Sequence, residues 1–334
     1  MALPVWATDN INDQGISDKS HNVQKRALLS SIITISSGLI RLACSLLAIY
    51  IMGRILSPSD YGLVGMIMPI MLFTAIFADG GVSSYTLQNP NITSQQMDLV
   101  FWIGVIIAFF VSSLLFIFSP LIARFYDNSN IQQLVMVSCI PILLTVFTAQ
   151  HNALTKRFLR HKNYAIAEIV GAITGLTAGV TLAVYGAGYW AIMSIPIARH
   201  TAHAITIWYL TGWIPSFPNS LSNIREILAF GLYSTLTLGL VSIGQNADKV
   251  IIGAKYGAEQ LGYYTMAFNI MLVPSLQILT PIGGAAIPML AQIRESPEAF
   301  WDALGKTITL IGLTVAPVMA IASILSEDII HLWL

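Results

Sequence analysis

Between Ala27 and Ile324 the chain passes through nine apolar stretches, each long enough to cross a hydrocarbon layer of about 30 Å as a helix. They run roughly from Ala27 to Met52, Tyr61 to Tyr85, Leu99 to Ala123, Ile131 to Leu154, Tyr164 to Tyr185, Tyr189 to Thr211, Ile227 to Gly253, Leu261 to Leu290, and Ala303 to Ile324 with a short continuation. Lipid offers the backbone no hydrogen-bond partners, so each stretch has to bond its own peptide groups, as a helix does. Composition agrees: 55% of residues are hydrophobic, 10% are charged and the mean hydropathy is +0.72, whereas soluble domains carry roughly a quarter charged residues. The expected fold class is an all-α polytopic membrane protein.

The formal net charge is zero, so charge balance points to neither nucleic acid nor an acidic partner, and the information lies in where the charges fall. Met1 to Arg26 is polar, lacks the apolar core of a cleavable signal, and reads as a mobile cytoplasmic tail ending in Lys25-Arg26. With the N-terminus inside, ten Lys and Arg of the connections face the cytoplasm and three (Arg54, Arg124, Lys255) face out, the asymmetry that the positive-inside rule expects. The run Lys156-Arg157-Phe158-Leu159-Arg160-His161-Lys162 contributes most of it and reads as an anchor against anionic lipid head groups, with a specific ligand site as the alternative. Cys44 and Cys139 both lie in apolar runs and do not form a disulfide framework.

Nothing outside the membrane is large. The outward gaps, near residues 53 to 60, 124 to 130, 186 to 188 and 254 to 260, are too short for a catalytic domain. There is no Walker-type loop, metal-spaced Cys/His set or nucleophile elbow, so neither an enzymatic role nor a cofactor is expected.

Charges inside the apolar stretches are rare and therefore informative. Arg41 lies about 14 residues into the first and Arg199 about ten into the sixth, which puts both near mid-membrane. A central Arg costs about 2.5 to 3.5 kcal/mol even on the mildest insertion scale, so both should face the bundle interior or a wet cavity, and such a cavity suits a phosphate. The competing reading is a salt bridge that only fixes helix packing. It is weakened by the scarcity of acids: Asp79 and Glu168 fall near the cytoplasmic ends of the second and fifth segments, at a different depth. Those two are candidates for gating or coupling, or else interface residues with a local partner. His203 lies one turn beyond Arg199 and shares its face, with His200 between them; a proton relay and a packing role both fit.

The step Asn246-Ala247-Asp248-Lys249 ends an uncharged run in the seventh segment. A helix from Ile227 carries Asp248 roughly 31 Å along, near the far interface, where a Lys snorkels; a positional pair and a substrate- or ion-linked pair both remain open. Prolines punctuate the helices at Pro69, Pro141, Pro196 and Pro317, and Pro274, Pro281 and Pro288 keep seven-residue spacing in the eighth. Each frees a backbone acceptor, as bent helices beside a cavity do.

Sliding the chain on itself by 200 residues sets Gly53 on Gly253, Gly62 on Gly262 and Ile70-Met71-Leu72 on Ile270-Met271-Leu272. With a seven-residue drift, Ser119-Pro-Leu-Ile-Ala-Arg-Phe-Tyr meets Ser326-Glu-Asp-Ile-Ile-His-Leu-Trp. The common order points to a repeat of about 200 residues, each copy a helical bundle. The expected organisation is a tail (1–26), a first six-helix lobe (27–211), a cytoplasmic linker (212–225) and part of a second lobe (226–334). Six helices per lobe would put the second lobe's end near residue 410 to 425, about three helices beyond Leu334.

Arg54-Ile-Leu-Ser-Pro-Ser-Asp-Tyr-Gly-Leu-Val-Gly, Phe77-Ala-Asp-Gly-Gly-Val and Ser119-Pro-Leu-Ile-Ala-Arg-Phe-Tyr resemble the start of bacterial polysaccharide and O-antigen flippases of the oligosaccharidyl-lipid/polysaccharide exporter (MOP) superfamily, the branch with the colanic-acid type exporters. Asn246-Ala-Asp-Lys-Val-Ile-Ile-Gly, Gly257-Ala-Glu-Gln-Leu-Gly-Tyr-Tyr and Pro288-Met-Leu are similar to that family's second lobe. The resemblance implies a two-lobe, inverted-V bundle around a cavity that opens alternately to either face of the membrane. It implies a substrate of undecaprenyl pyrophosphate carrying an oligosaccharide repeat, moved outward for exopolysaccharide, capsule or O-antigen synthesis, with membrane lipids, a polysaccharide polymerase and chain-length machinery as partners. Arg41, Arg199 and Lys249, with Asp248 beside it, would then meet the pyrophosphate, and Tyr50, Trp190 and Tyr233 would stack on sugars. A cation-coupled drug antiporter of the same superfamily would want a buried carboxylate where this chain has Arg41. An intramembrane polymerase or ligase would need a long outward loop.

Overall fold

A computed structural model describes residues 19–81, 85–87, 89, 92–157, 160–218, 224–292, 296–325 and 328. Residues 1–18 of the tail, Phe158 and Leu159 of the basic run, linker residues 219–223, Ser326, Glu327 and 329–333 of the second repeat motif, and Leu334 lie outside the described residues. So do the side chains of Lys25, Arg26, His161, Ile270, Met271, Pro274, Pro281 and Pro288.

Each apolar stretch becomes a helix: α1 (Lys19–Gly53), α2 (Pro58–Asp79), α3 (Ser94–Phe125), α4 (Ser129–Arg157), α5 (His161–Val184), α6 (Tyr189–Thr211), α7 (224–256), α8 (258–292) and α9 (Pro297–Ile324). The helix starts follow from local chemistry. Ser57 accepts a hydrogen bond from the Asp60 amide at 3.2 Å and its own amide donates to Asp60 Oδ2 at 3.0 Å, a capping box with Pro58 in the first turn. Thr93 and Gln96 repeat the device on α3. Gly80, at φ 57°, ends α2 in the left-handed region that favours glycine. Gly257, at φ 80° and ψ −177°, breaks the helical run between α7 and α8.

Among the described residues, seven helical runs are long and apolar enough to cross a membrane, one of them covering α7 and the start of α8. α6 is absent from that set, a departure from nine equivalent spans: Arg199, His200 and His203 make it too polar, and its place in the bundle comes from packing against α5.

α5 and α6 form one antiparallel pair and α3 and α4 another, α1 lies along α5, and α2 packs against α3, α4 and α6. The core of this first bundle is built on Leu63, Met66, Ile67, Ile131, Leu134 and Met193. α2 is also the helix that joins the first bundle to α7 and α8. At its N-terminal end the contact is reciprocal across the 200-residue offset. A Cβ on Gly62 would stand 1.6 Å from the Ala258 carbonyl oxygen, and one on Gly262 would stand 1.8 Å from that of Pro58. Between them Gly65 faces Thr265, where a Cβ would lie 2.8 Å from the hydroxyl. Positions 58, 62 and 65 thus meet 258, 262 and 265, so the repeat read from sequence is also a pseudo-symmetric contact in space. At the other end, a Cβ on Gly231 of α7 would lie 2.3 Å from the Gly80 carbonyl oxygen, and Gly239 accepts Phe77 against its backbone.

The start of the 212–225 segment is more than a connection. Asp98 accepts from the Ser216 amide at 3.2 Å, the Trp102 indole donates to the Ser216 carbonyl at 2.9 Å, and its ring stacks on Phe217. Trp213 is buried among Phe101 and His151. The basic run is likewise more than an anchor: Arg157 donates to the carbonyls of Thr86 (2.7 Å) and Asn89 (2.6 Å), tying the end of α4 to the turn after α2.

Gly62 has no room for a side chain because its neighbour is backbone. Gly62→Leu should therefore destabilise the protein by about 3 kcal/mol or more, read as a lowered melting temperature in detergent. Gly244→Ala, at a helical glycine with open space around it, should leave the melting temperature unchanged or slightly raised.

Candidate functional site: two arginines on one carboxylate

α5 carries a glycine every fourth residue, Gly171, Gly175 and Gly179, and this stripe faces α6. A Cβ on Gly171 would lie 2.9 Å from the Arg199 carbonyl oxygen, and one on Gly175 would lie 3.0 Å from that of Ile195. Small residues at this spacing let two membrane helices approach backbone to backbone. Glu168 stands one turn before Gly171, so the close approach delivers it to the face of α6 that carries Arg199 and His203.

Glu168 Oε2 accepts a hydrogen bond from Arg199 Nη2 at 3.0 Å and another from Arg41 Nη1, arriving from α1, also at 3.0 Å. Its other oxygen lies 3.6 Å from His203 Nδ1. The carboxylate side chain is 12% exposed, whereas those of Arg41 and Arg199 are 35% and 36% exposed. The acid is thus enclosed and the two cations keep an open side. A guanidinium offers five N–H donors and each of these gives one to Glu168 in the contacts described, so the pair has donors and net positive charge left over.

The network continues into α4. His203 Nε2 lies 3.0 Å from Asn152 Oδ1, and His200 Nδ1 lies 3.5 Å from the Thr145 hydroxyl. The Tyr164 ring meets His203 edge-on and carries the Lys156 ammonium on its face, 4.8 Å from the centroid. Below it His151 is fully buried, 2.6 Å from the Thr211 hydroxyl and tilted on Trp208.

The sequence-predicted residues divide into groups. Arg41, Arg199, Glu168 and His203 come together, so the competing salt-bridge reading is present in the structure, with an acid whose position along α5 suggested a different depth. Lys249 is engaged on α7 and α8, donating to Asn246 Oδ1 at 3.1 Å and lying 4.4 Å from the centre of the Phe268 ring. Asp248 accepts from the Tyr264 hydroxyl, and its Oδ1 is buried with no hydrogen-bond partner among the described residues. Tyr50 lies under the Arg54 guanidinium. Trp190 packs against the first core beside Tyr189, which takes its ring out of the cluster. Tyr233 is 74% exposed on α7. Asp79 is the half-buried last residue of α2. Sequence reading missed Asn152 and the glycine stripe; the four-residue glycine period in α5 was the available signal.

Comparison with known proteins settles the family. Residues 51–334 match the family model described as polysaccharide biosynthesis protein. The chain belongs to that family. It is 20% identical to the lipopolysaccharide biosynthesis protein WzxC of Escherichia coli (strain K12), over 95% of this chain and 63% of that one. It is 24% identical to the teichuronic acid biosynthesis protein TuaB of Bacillus subtilis (strain 168), over 74% of this chain and 52% of TuaB. It thus spans between about half and two thirds of the length of these relatives. Among solved structures it is similar to the lipid II flippase MurJ in an inward closed conformation, with a TM-score of 0.69 and 16% identity over 92% of this chain and 67% of MurJ. It is also similar to an inward-facing multidrug resistance MATE transporter of the MOP superfamily, with a TM-score of 0.67 and 18% identity over 89% of this chain and 75% of that one. The fold is the all-α bundle of these two transporters, and the protein is a multi-pass membrane protein.

Gly175→Val places methyl groups against the Ile195 carbonyl and Arg199 Cβ, prising α6 from α5. It should lower stability by about 1 to 3 kcal/mol and free Arg199 from Glu168. The check is a thermal melt combined with the reactivity of Arg199 toward a guanidine-specific dicarbonyl, which should rise.

Proposed function

We propose that this protein flips polyprenyl-pyrophosphate-linked oligosaccharide repeat units from the cytoplasmic to the outer leaflet of the bacterial inner membrane, for exopolysaccharide, capsule or O-antigen synthesis. The observation that carries this reading is the half-open arginine pair, two cations on a single carboxylate within a membrane bundle of this family. Excess positive charge in a low-dielectric setting is costly unless an anion arrives to share it, and a lipid-linked diphosphate supplies that anion while its hydrocarbon tail stays in lipid. The names of the relatives, a lipopolysaccharide and a teichuronic acid biosynthesis protein and a lipid II flippase, support the same substrate class. A cationic drug would be repelled by the pair, which counts against an antiporter of cationic compounds.

Mechanistically, the reciprocal glycine contact of α2 with α8 is a natural fulcrum for alternating access, because at Gly62 and Gly262 backbone rests on backbone with no side chain between them. The N-terminus is cytoplasmic, and Lys249 with Asp248 lies toward the outer face. A polysaccharide polymerase and chain-length machinery would receive the flipped unit. No enzymatic step and no cofactor is part of this reading.

In cells that depend on this gene for polymer export, Arg41→Ala and Arg199→Ala should each lower polymer yield at least roughly tenfold, the loss of one charge-assisted contact to phosphate. Membrane insertion, followed by immunoblot of the membrane fraction, should be unchanged. Normal polymer from both variants would remove the pair from the site. For orientation, a fluorescent protein joined after Arg160 should fluoresce and alkaline phosphatase joined after Gly186 should be active; the reverse pattern would overturn the topology.

A further inference from the structure

The point on which the Arg41 and Arg199 guanidiniums converge is filled by a carboxylate oxygen of the protein itself, Glu168 Oε2, at 3.0 Å from each. We propose that Glu168 is a built-in counter-ion that a lipid diphosphate displaces, so that this one side chain sets how tightly the head group is held and how readily it is let go. The inference rests on the head-group role assigned to the two arginines above.

Three observations carry it. Both guanidiniums meet at one oxygen, arriving from different helices, α1 and α6, and a point where two such donors converge accepts an anionic oxygen from whichever molecule supplies it. The exposure is ordered: the arginines are open on one side and the carboxylate is enclosed beneath them, so an incoming anion meets the cations first and need not pass the acid. Finally, the displaced carboxylate has somewhere to go. A buried carboxylate stripped of its partners is costly, but Glu168 Oε1 already lies 3.6 Å from His203 Nδ1, which answers it when the imidazole takes up a proton, Nε2 then donating to Asn152 Oδ1 at 3.0 Å.

The charge balance gives the ligand class. Glu168 offsets one of the two positive charges, so a singly charged anion gains little by replacing it. A lipid diphosphate spreads its charge over two phosphoryl groups, whose oxygens serve both guanidiniums at once, and this reach makes the exchange selective for a diphosphate over a monophosphate. The same competition aids release, because the carboxylate stays tethered one side-chain length away and returns when the head group leaves.

The test uses the purified protein in nanodiscs with farnesyl diphosphate and farnesyl phosphate as probes. Glu168→Gln keeps the side chain's size and one acceptor oxygen but removes the competing charge. It should bind farnesyl diphosphate roughly tenfold more tightly, with a smaller gain for the monophosphate, while Arg41→Ala and Arg199→Ala bind both more weakly. If the unmodified protein binds the diphosphate, the arginine variants lose it and Glu168→Gln is no tighter, Glu168 only braces the helices and the counter-ion inference is overturned with the head-group reading intact. If the unmodified protein binds neither probe, the head-group reading itself fails and this inference falls with it. Should Glu168→Gln not fold, labelling of Glu168 in the unmodified protein by dicyclohexylcarbodiimide, read by mass spectrometry, decides the matter. Farnesyl diphosphate should raise the labelling several-fold, and protection would overturn the proposal.

Discussion

A cation inside a hydrocarbon layer has to be answered by an anion, by water or by a ligand. In this protein one carboxylate, Glu168, answers two cations from two different helices, and much of the first bundle can be understood as the scaffold that makes this possible. The glycine stripe of α5 lets α6 come close enough for Arg199 and His203 to reach the acid, and α1 is held along α5 with Arg41 at the same point. The arrangement leaves positive charge uncompensated on the open side. A structural salt bridge has no need of a second guanidinium, whereas the exchange of anions proposed above depends on it.

The second constraint is steric. α2 belongs to the first repeat in sequence, yet it has extensive packing against α7 and α8. Glycines at 62, 231 and 262 allow backbone to approach backbone, Gly239 admits the Phe77 ring, and Gly65 admits the Thr265 side chain. In lipid there is no hydrophobic gain from joining apolar helices, so close contact of small residues supplies the adhesion. Such surfaces are smooth, and a smooth contact is one over which two bundles can tilt without first disengaging interlocked side chains. Residues 213 to 217 are pinned to α3 through Asp98 and Trp102, with Trp213 buried beside Phe101.

The helices were legible because twenty or more apolar residues in lipid admit few other solutions, and their ends were set by local signals such as the Ser57/Asp60 capping box and Gly80. The pair Arg41 and Arg199 was legible as chemistry because of its cost. Its partner was not. Glu168 sits early in α5, and estimating depth from position along the helix placed it away from both arginines; such an estimate ignores that long Arg side chains travel along the helix axis. Aromatic residues misled for the opposite reason. Trp190 and Tyr50 are of the types that stack on sugars, but one is packed beside Tyr189 and the other lies under Arg54.

By itself the amino-acid sequence determined the number and type of the elements, the 200-residue repeat and the presence of unusual charge in the membrane, because each of these depends on residue identity and spacing along one chain. Tertiary structure alone decided which charge answers which. It turned three isolated ionisable residues on α1, α5 and α6 into one cluster, and turned Gly62 and Gly262 from a sequence coincidence into a reciprocal contact. The physical reason is that pairing across helices depends on rotation and closeness of approach, and those are set by packing several residues away from the charges themselves.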